Sequence, residues 1–126
     1  MKSAKHQRAY RRGRSAEHIA VWWLRLKGYQ ILGRDVRNPF GEIDIIARRG
    51  KLLIFVEVKA RRDRHSGLQA VSLGQRRRID RAAAAWLAAR PDLGALDQRF
   101  DLVIVAPAGW PHHVKDAWRV DQQDIV

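Results

Sequence analysis

Cysteine is absent from the 126-residue sequence. Its absence excludes a disulfide framework and any metal site built on thiolates, and it is typical of proteins in a reducing compartment. No apolar run approaches the roughly 20 residues that a membrane helix requires. The basic N-terminus is not followed by the continuous apolar segment of a signal peptide. We therefore expect a cytoplasmic protein that does not enter a membrane.

Acidic residues are scarce relative to basic ones. The chain has 13 Asp and Glu against 25 Lys and Arg, which gives a formal net charge of +12. A field of that sign attracts polyanions and accelerates encounter with them. The sequence has no strongly amphipathic basic helix of the kind that binds a membrane surface. The charge therefore favours nucleic acid as the partner.

The pattern along the chain predicts one domain preceded by a basic arm. Residues 1–12 are rich in Lys and Arg and predict a mobile arm, and residues 13–126 predict a single α/β domain. The apolar periodicity predicts seven elements in the order α-β-β-β-α-β-β: a helix over Gly13–Lys27, strands over Tyr29–Val36, Glu42–Arg48 and Leu52–Lys59, a helix over Gln75–Arg90, and strands over Phe100–Ala106 and Val114–Val120. This order predicts a central mixed sheet flanked by helices.

The second and third strands are joined by a tight turn that sets their register. If Gly50-Lys51 is a two-residue loop, Asp44 lies directly across from Glu57, with Cβ atoms about 4.5–5.5 Å apart. A register shifted by two residues would place Glu42 opposite Glu57 instead. Either register predicts a pair of neighbouring carboxylates, and such a pair repels unless a cation or a proton lies between them.

The residues around this pair indicate a hard-metal site. Alternation places Ile43 and Ile45 on one face of the second strand and Asp44 on the other, while Glu57 and Lys59 share a face of the third strand. Carboxylate oxygens, waters and a substrate phosphate are typical ligands of Mg²⁺. The ammonium group of Lys59 would hold an attacking water or neutralise phosphate charge. The alternative is a cross-strand salt bridge, which would leave one carboxylate unpaired.

Glu17 lies beside the apolar stripe of the first helix. Two interpretations stay open for it: a further acidic group of the site, or an ordinary edge residue favoured near a helix N-terminus.

Several motifs together resemble one bacterial family. They are Gly13-x-x-Ala16-Glu17, Gly28-Tyr29-x-Ile31-Leu32, Gly41-Glu42-Ile43-Asp44-Ile45-Ile46-Ala47, Phe55-Val56-Glu57-Val58-Lys59-Ala60-Arg61 and Arg99-Phe100-Asp101. In these segments the chain resembles the YraN-like family of predicted endonucleases, which is similar to archaeal Holliday-junction resolvases of the restriction-endonuclease-like superfamily. The likeness covers nearly the whole chain.

The resemblance implies a restriction-endonuclease-like fold and a role for each acidic residue. It implies that Asp44 and Glu57 bind Mg²⁺ or Mn²⁺, that Lys59 assists the attacking water, and that Glu17 is the helical acid of the site. It also implies structured or branched DNA as the substrate and a homodimer as the assembly. Two alternatives stay open: a module that binds nucleic acid without cutting it, and a nuclease or binder directed at RNA.

Arginines near the site predict contacts with the phosphate backbone. We expect these contacts from Arg11, Arg12 and Arg14 in the N-terminal segment, from Arg61, Arg62 and Arg64 after the third strand, and from Arg76, Arg77 and Arg78 at the start of the second helix. The tryptophans Trp22, Trp23, Trp86 and Trp118 are expected in the core rather than as platforms for base stacking.

Overall fold

The computed structural model describes the backbone of residues 4–63, 66 and 69–120, and the side chains of the same ranges from residue 14 onwards. Its elements follow the predicted order: α1 (Ala4–Leu26), β1 (Gln30–Asn38), β2 (Gly41–Arg49), β3 (Leu52–Ala60), α2 (Leu73–Ala88), β4 (Asp97–Val105) and β5 (His112–Trp118). A short 3₁₀ helix, Pro91–Leu93, lies between α2 and β4.

The five strands form one mixed sheet in the spatial order β1-β2-β3-β4-β5. Strands β3 and β4 are parallel, and the other neighbouring pairs are antiparallel. The connection from β3 to β4 runs through α2, as a parallel pair requires a crossover rather than a tight turn. The prediction of a mixed sheet flanked by helices is confirmed.

One helix covers each face of the sheet. The inner face of α1 (Ala16, Ala20, Val21 and Leu24) packs with Ile54, Val56 and Val103. On the other face, Ile79, Ala82, Ala83 and Trp86 of α2 pack with Phe55, Phe100 and Leu102. Both faces of β3 and β4 are therefore buried, which is why these strands are almost continuously apolar.

The ends of two elements differ from the prediction. Helix α1 begins at Ala4, so most of the segment predicted as an arm has a helical backbone. The side chains of that segment lie outside the described residues. Arg11 and Arg12 belong to that segment, and Arg64 is likewise outside the described residues. Strand β5 begins at His112 and ends at Trp118, two residues earlier at each end than predicted. Among the described helices, none is long and apolar enough to cross a membrane.

Tryptophan placement agrees with the prediction only in part. Trp86 and Trp118 are buried, with 8% and 4% of their surface exposed. Trp22 is 63% exposed, because it lies on the outer side of α1 rather than on the stripe that packs against the sheet. The prediction of a core position was therefore wrong for Trp22.

Candidate metal centre

The β2–β3 hairpin brings together the two carboxylates that the sequence pairs. Its register matches Arg49 with Leu52 and Ile45 with Val56, and the next step along the strands sets Asp44 across from Glu57. This is the register predicted from a two-residue loop. Asp44 Oδ2 accepts a hydrogen bond of 2.8 Å from the backbone N–H of Val58.

The shifted register, in which Glu42 would have faced Glu57, does not occur. Glu42 is exposed and forms an ion pair with Arg37, with 3.3 Å between Oε1 and Nε. It is not one of the three converging carboxylates, although it lines the cavity beside Asp44 and Glu57.

Regular alternation fails in β2 beside Asp44. Ile43 packs with Ile46 on the α2 face, whereas Ile45 packs on the α1 face, so the prediction that Ile43 and Ile45 share a face was wrong. The partners of these residues in β1 are Val36 and Arg34. Between those partners lies Asp35, whose φ of 48° is left-handed and interrupts the regular pleat. The irregularity turns Asp44 and Asp35 towards each other at one end of the sheet.

Three carboxylates from three elements converge there. Single oxygen atoms of Glu17, Asp35 and Asp44 all lie within 4.8 Å of one another. Glu17 is only 9% exposed, and its Oε1 is buried without a hydrogen-bond partner. The nearest cation to this atom in the described ion pairs is Arg34, with Nε at 3.9 Å. The interpretation of Glu17 as part of the site fits this geometry better than an ordinary helix-edge position does.

Glu57 adjoins this group through Asp44 and has its own partners on the α2 face. Lys59 Nζ lies 3.1 Å from Glu57 Oε1. Gln75 in the first turn of α2 donates a hydrogen bond of 2.8 Å to the same oxygen. Ser72 is the N-cap of this helix, and its hydroxyl oxygen accepts a hydrogen bond of 3.1 Å from the N–H of Gln75, which holds Gln75 in the first turn. The salt bridge that the alternative predicts is thus found between Lys59 and Glu57. Among the described ion pairs, Lys59 has none with Asp44.

Burial and mutual repulsion shift the titration of these groups. Burial, reinforced by the charge of Asp44, raises the pKa of Glu57 from 4.5 to about 7. Burial, followed by the charge and hydrogen bond of Asp35, raises the pKa of Glu17 from 4.5 to about 7. Burial also raises the pKa of Asp44, although the N–H of Val58 opposes that shift. Near neutral pH, Glu17 and Glu57 are therefore partly protonated, and a bound cation would displace those protons.

A cavity of about 310 Å³ opens beside the carboxylates between β2, β3 and α2. Asp44 and Glu57 line it, together with Gln75 and the exposed Arg78. Gly41 allows this close packing, since a Cβ atom there would lie 3.2 Å from the backbone oxygen of Arg78. The cavity thus joins an acidic wall to a cationic rim.

The predicted phosphate contacts are only partly available. Arg14, Arg61, Arg62, Arg77 and Arg78 are exposed. Arg76 is held inward, because its Nε donates to the carbonyl of Val71 at 3.2 Å and its guanidinium lies 5.9 Å from the centre of the Trp118 ring.

The sequence did not predict two residues of the candidate site, the carboxylate of Asp35 and the amide of Gln75. An Asp within a strand is unfavourable and was a signal for the first. The only signal for Gln75 was its place at the start of a helix that follows the Glu-x-Lys strand.

Comparison with known proteins places the chain in a family. The family model described as "Uncharacterised protein family UPF0102" matches residues 16–105. This chain belongs to the UPF0102 family. The matched range contains Glu17, Asp35, Asp44, Glu57 and Lys59, and the resemblance to YraN-like proteins is confirmed at this level.

Relatives in the UPF0102 family align over almost their whole length. The UPF0102 protein of Paramagnetospirillum magneticum is 50% identical over 123 residues, which cover 94% of this chain and 95% of the relative. That of Mesorhizobium japonicum is 52% identical over 92% of this chain and 93% of the relative. That of Methylocella silvestris is 53% identical over 86% of this chain and 88% of the relative.

Proposed function

We propose that this UPF0102 protein is a metal-dependent endonuclease with a restriction-endonuclease-like fold. It binds structured or branched DNA and hydrolyses a phosphodiester bond at the site formed by Asp44, Glu57 and Lys59. The observation that carries the proposal is the convergence of Glu17, Asp35 and Asp44 within 4.8 Å, with Glu57 and Lys59 beside them, in a chain of net charge +12.

The residues fit Mg²⁺ or Mn²⁺. The group offers carboxylate oxygens alone, which these hard cations prefer over nitrogen or sulfur ligands. Glu17 Oε1 has no hydrogen-bond partner among the described residues, although a buried carboxylate oxygen normally has one. We infer that Asp44 and Glu57 hold the ion, with Glu17 completing the acidic side and Asp35 as a further ligand.

Each protein group has a separate task in such a reaction. The bound ion supplies a water of lowered pKa and polarises the phosphate. Lys59, whose ammonium lies 3.1 Å from Glu57, carries positive charge at the point where phosphate charge would develop. Gln75 orients Glu57 through its hydrogen bond, and Arg78 at the cavity rim attracts the substrate backbone.

A cleavage panel tests the proposal. Duplex, single strand, flap, four-way junction and structured RNA are incubated with Mg²⁺ or Mn²⁺, and with EDTA as the blank. The wild-type protein is expected to cut at least one DNA structure, and Asp44→Asn and Glu57→Gln are expected to abolish cutting while binding persists in EDTA. Lys59→Ala is expected to slow cutting by about 10²–10³-fold.

The matched control is Asp92→Asn, which removes an exposed carboxylate from the 3₁₀ helix, away from the cavity. It should cut at the wild-type rate. Full activity in Asp44→Asn would contradict the assignment of the site. Cutting of structured RNA but of no DNA probe would identify RNA as the substrate.

A further inference from the structure

A second concave surface lies on the other side of α1 from the carboxylates. It is a groove of about 700 Å³ between the middle of α1, at Ser15, Ala16 and Ile19, and the C-terminal ends of the parallel strands β3 and β4. This volume is in the range of sites that hold small organic groups. The main lining residues are Ser15, Ile19, Ala60, Arg61, Arg62 and Pro107.

The groove combines an apolar floor with a cationic rim. Ile19, Ala60 and Pro107 supply apolar surface, and Arg61 and Arg62 supply positive charge. Among the described residues that line it, none is acidic. The backbone of β3 continues into this rim, because the N–H of Arg61 donates to the carbonyl of Val105 at 3.1 Å. A ligand with both apolar faces and negative charge would be complementary to this surface.

Two tryptophans extend the surface along α1. Trp23 follows Ile19 by one helical turn, and its ring centre lies 5.5 Å from that of Trp110, with 31° between the ring planes. Trp110 lies in the loop between β4 and β5, three residues after Pro107, and is 80% exposed. Contact with Trp23 supports one side of this exposed indole. A supported aromatic face beside arginines is the arrangement on which unpaired bases stack.

Helix α1 separates this groove from the candidate metal centre. Glu17 on one side of α1 meets Asp35 of β1 and Asp44 of β2. Ser15 and Ile19 on another side of the helix line the groove over the ends of β3 and β4. In the sheet, β2 and β4 lie on opposite sides of β3. Two nucleic-acid strands that leave one branch point would therefore have separate binding surfaces, one in the groove and one at the carboxylates.

We propose that the groove between α1, Arg61 and Arg62, together with the Trp23–Trp110 pair that extends it, binds an unpaired strand of nucleic acid. Helix α1 and the C-terminal end of β3 lie between that strand and the one held at Asp44 and Glu57. This inference deepens the proposed function and rests on it, because it makes the substrate a junction between duplex and single strand. A duplex keeps its base faces stacked inside and offers none to Trp110. A second copy of the chain would bring another net charge of +12 to the surface.

The test is binding by fluorescence anisotropy in EDTA, so that no cutting interferes. The probes are a single strand, a duplex of equal length, and a fork that joins such a duplex to unpaired arms. Trp110→Ala is expected to weaken binding of the single strand by about tenfold, as the loss of one stacked base would. It should also remove the preference for the fork over the duplex and leave duplex binding unchanged. Trp110→Phe should retain most of the affinity.

Trp22→Ala is the matched control, because it removes an exposed tryptophan of α1 whose described ring contact is with Arg25 rather than with Trp110. It should bind all three probes as the wild type does. Unchanged single-strand binding in Trp110→Ala, or equal losses for duplex and single strand, would overturn the inference. So would a change of oligomeric state in Trp110→Ala, measured by light scattering, because the groove would then be an interface between copies.

Failure of the two proposals can be distinguished. If Asp44-dependent cleavage occurs and Trp110→Ala binds and cuts as the wild type does, only the inference about the groove is wrong. If single-strand binding depends on Trp110 but no substrate is cut with Mg²⁺ or Mn²⁺, the proposed catalytic function is wrong and the groove is a binding site.

Discussion

Asp44 is the residue at which the contacts of the candidate centre meet. Its carboxyl group faces Glu57 across the hairpin, accepts the N–H of Val58, and approaches Glu17 and Asp35. A carboxylate at this position has more acidic neighbours than cationic ones among the described residues. The protein therefore tolerates electrostatic repulsion between carboxylates here. Such repulsion is typical of residues that bind a ligand rather than stabilise the fold.

The pH dependence of stability follows from the raised pKa values of Glu17 and Glu57. Both are raised from 4.5 to about 7, so the folded state binds more protons than the unfolded state between these values. The free energy of unfolding should therefore decrease as pH rises from about 5 to about 7 and the loss should be complete above that range. Melting temperatures of the metal-free protein, measured in EDTA from pH 5 to 8, check this expectation.

Replacing one of the two groups isolates its contribution. Glu57→Gln cannot ionise, so its melting temperature should fall less steeply with pH than that of the wild type. Parallel curves for Glu57→Gln and the wild type would show that Glu57 titrates normally in the folded protein.

At the residue level, the sequence predicted Asp44, Glu57, Lys59 and Glu17 but missed Asp35. The first three follow from alternation in a hairpin whose turn sets the register. Asp35 joins them because its backbone is left-handed, with a φ of 48°. No period of two or 3.6 residues predicts a local departure of this kind. The same departure explains why the predicted common face of Ile43 and Ile45 was wrong.

Among the elements, the central strands were predicted best. Strands β2, β3 and β4 are apolar on both faces and bounded by turn residues, so their signal is strong. The start of α1 and the limits of β5 were predicted poorly, because charged residues dominate the first and polar residues the second. Tertiary contacts decide such ends.

Strands β4 and β5 are joined by a buried network around Asp101, which the sequence did not predict. Asp101 is fully buried and accepts both guanidinium hydrogen bonds of Arg99, at 2.7 and 2.8 Å. It also contacts His113 Nε2 at 2.7 Å and accepts the N–H of Asp116 at 3.0 Å. Burial opposes ionisation of Asp101, but these hydrogen bonds outweigh it and hold its pKa below the usual range.

The network should carry a large share of the stability of this edge of the sheet. Asp101→Asn leaves Arg99 without its buried counter-charge and should lower the free energy of unfolding by about 3–5 kcal/mol. Asp116→Asn is the matched control, because Asp116 pairs with Arg119 near the surface and should cost less than about 1 kcal/mol. Urea denaturation of the two variants gives the comparison. Equal small losses would mean that the network contributes little beyond packing.

At the scale of the whole molecule, the net charge of +12 surrounds a small acidic centre. The sign of this charge was evident from composition, but composition does not reveal which arginines face the solvent. Arg77 and Arg78 at the start of α2 are exposed, whereas Arg76 is held against Val71 and Trp118. The expected number of phosphate contacts from this segment is therefore two rather than three.

Salt dependence of DNA binding measures these contacts. Each neutralised phosphate contributes about −0.9 to the slope of log K against log salt. The double variant Arg77→Gln, Arg78→Gln should flatten that slope by about 1.8 in EDTA, and adding Arg76→Gln should change it little further. A control of equal charge, Arg48→Gln with Lys51→Gln at the hairpin turn, should leave the slope unchanged. An unchanged slope in the first variant would assign the binding surface to another part of the chain.

Direct measurement of Mn²⁺ binding tests the central claim, that these carboxylates form one metal site. Isothermal titration calorimetry at pH 7.5 should show a site in the wild type that is lost in Asp44→Asn and in Glu57→Gln. Asp92→Asn, which removes an exposed carboxylate outside the site, should retain it with unchanged affinity. Binding should release protons from Glu17 and Glu57, so the heat should vary with the ionisation enthalpy of the buffer. Wild-type affinity for Mn²⁺ in Asp44→Asn would contradict the account.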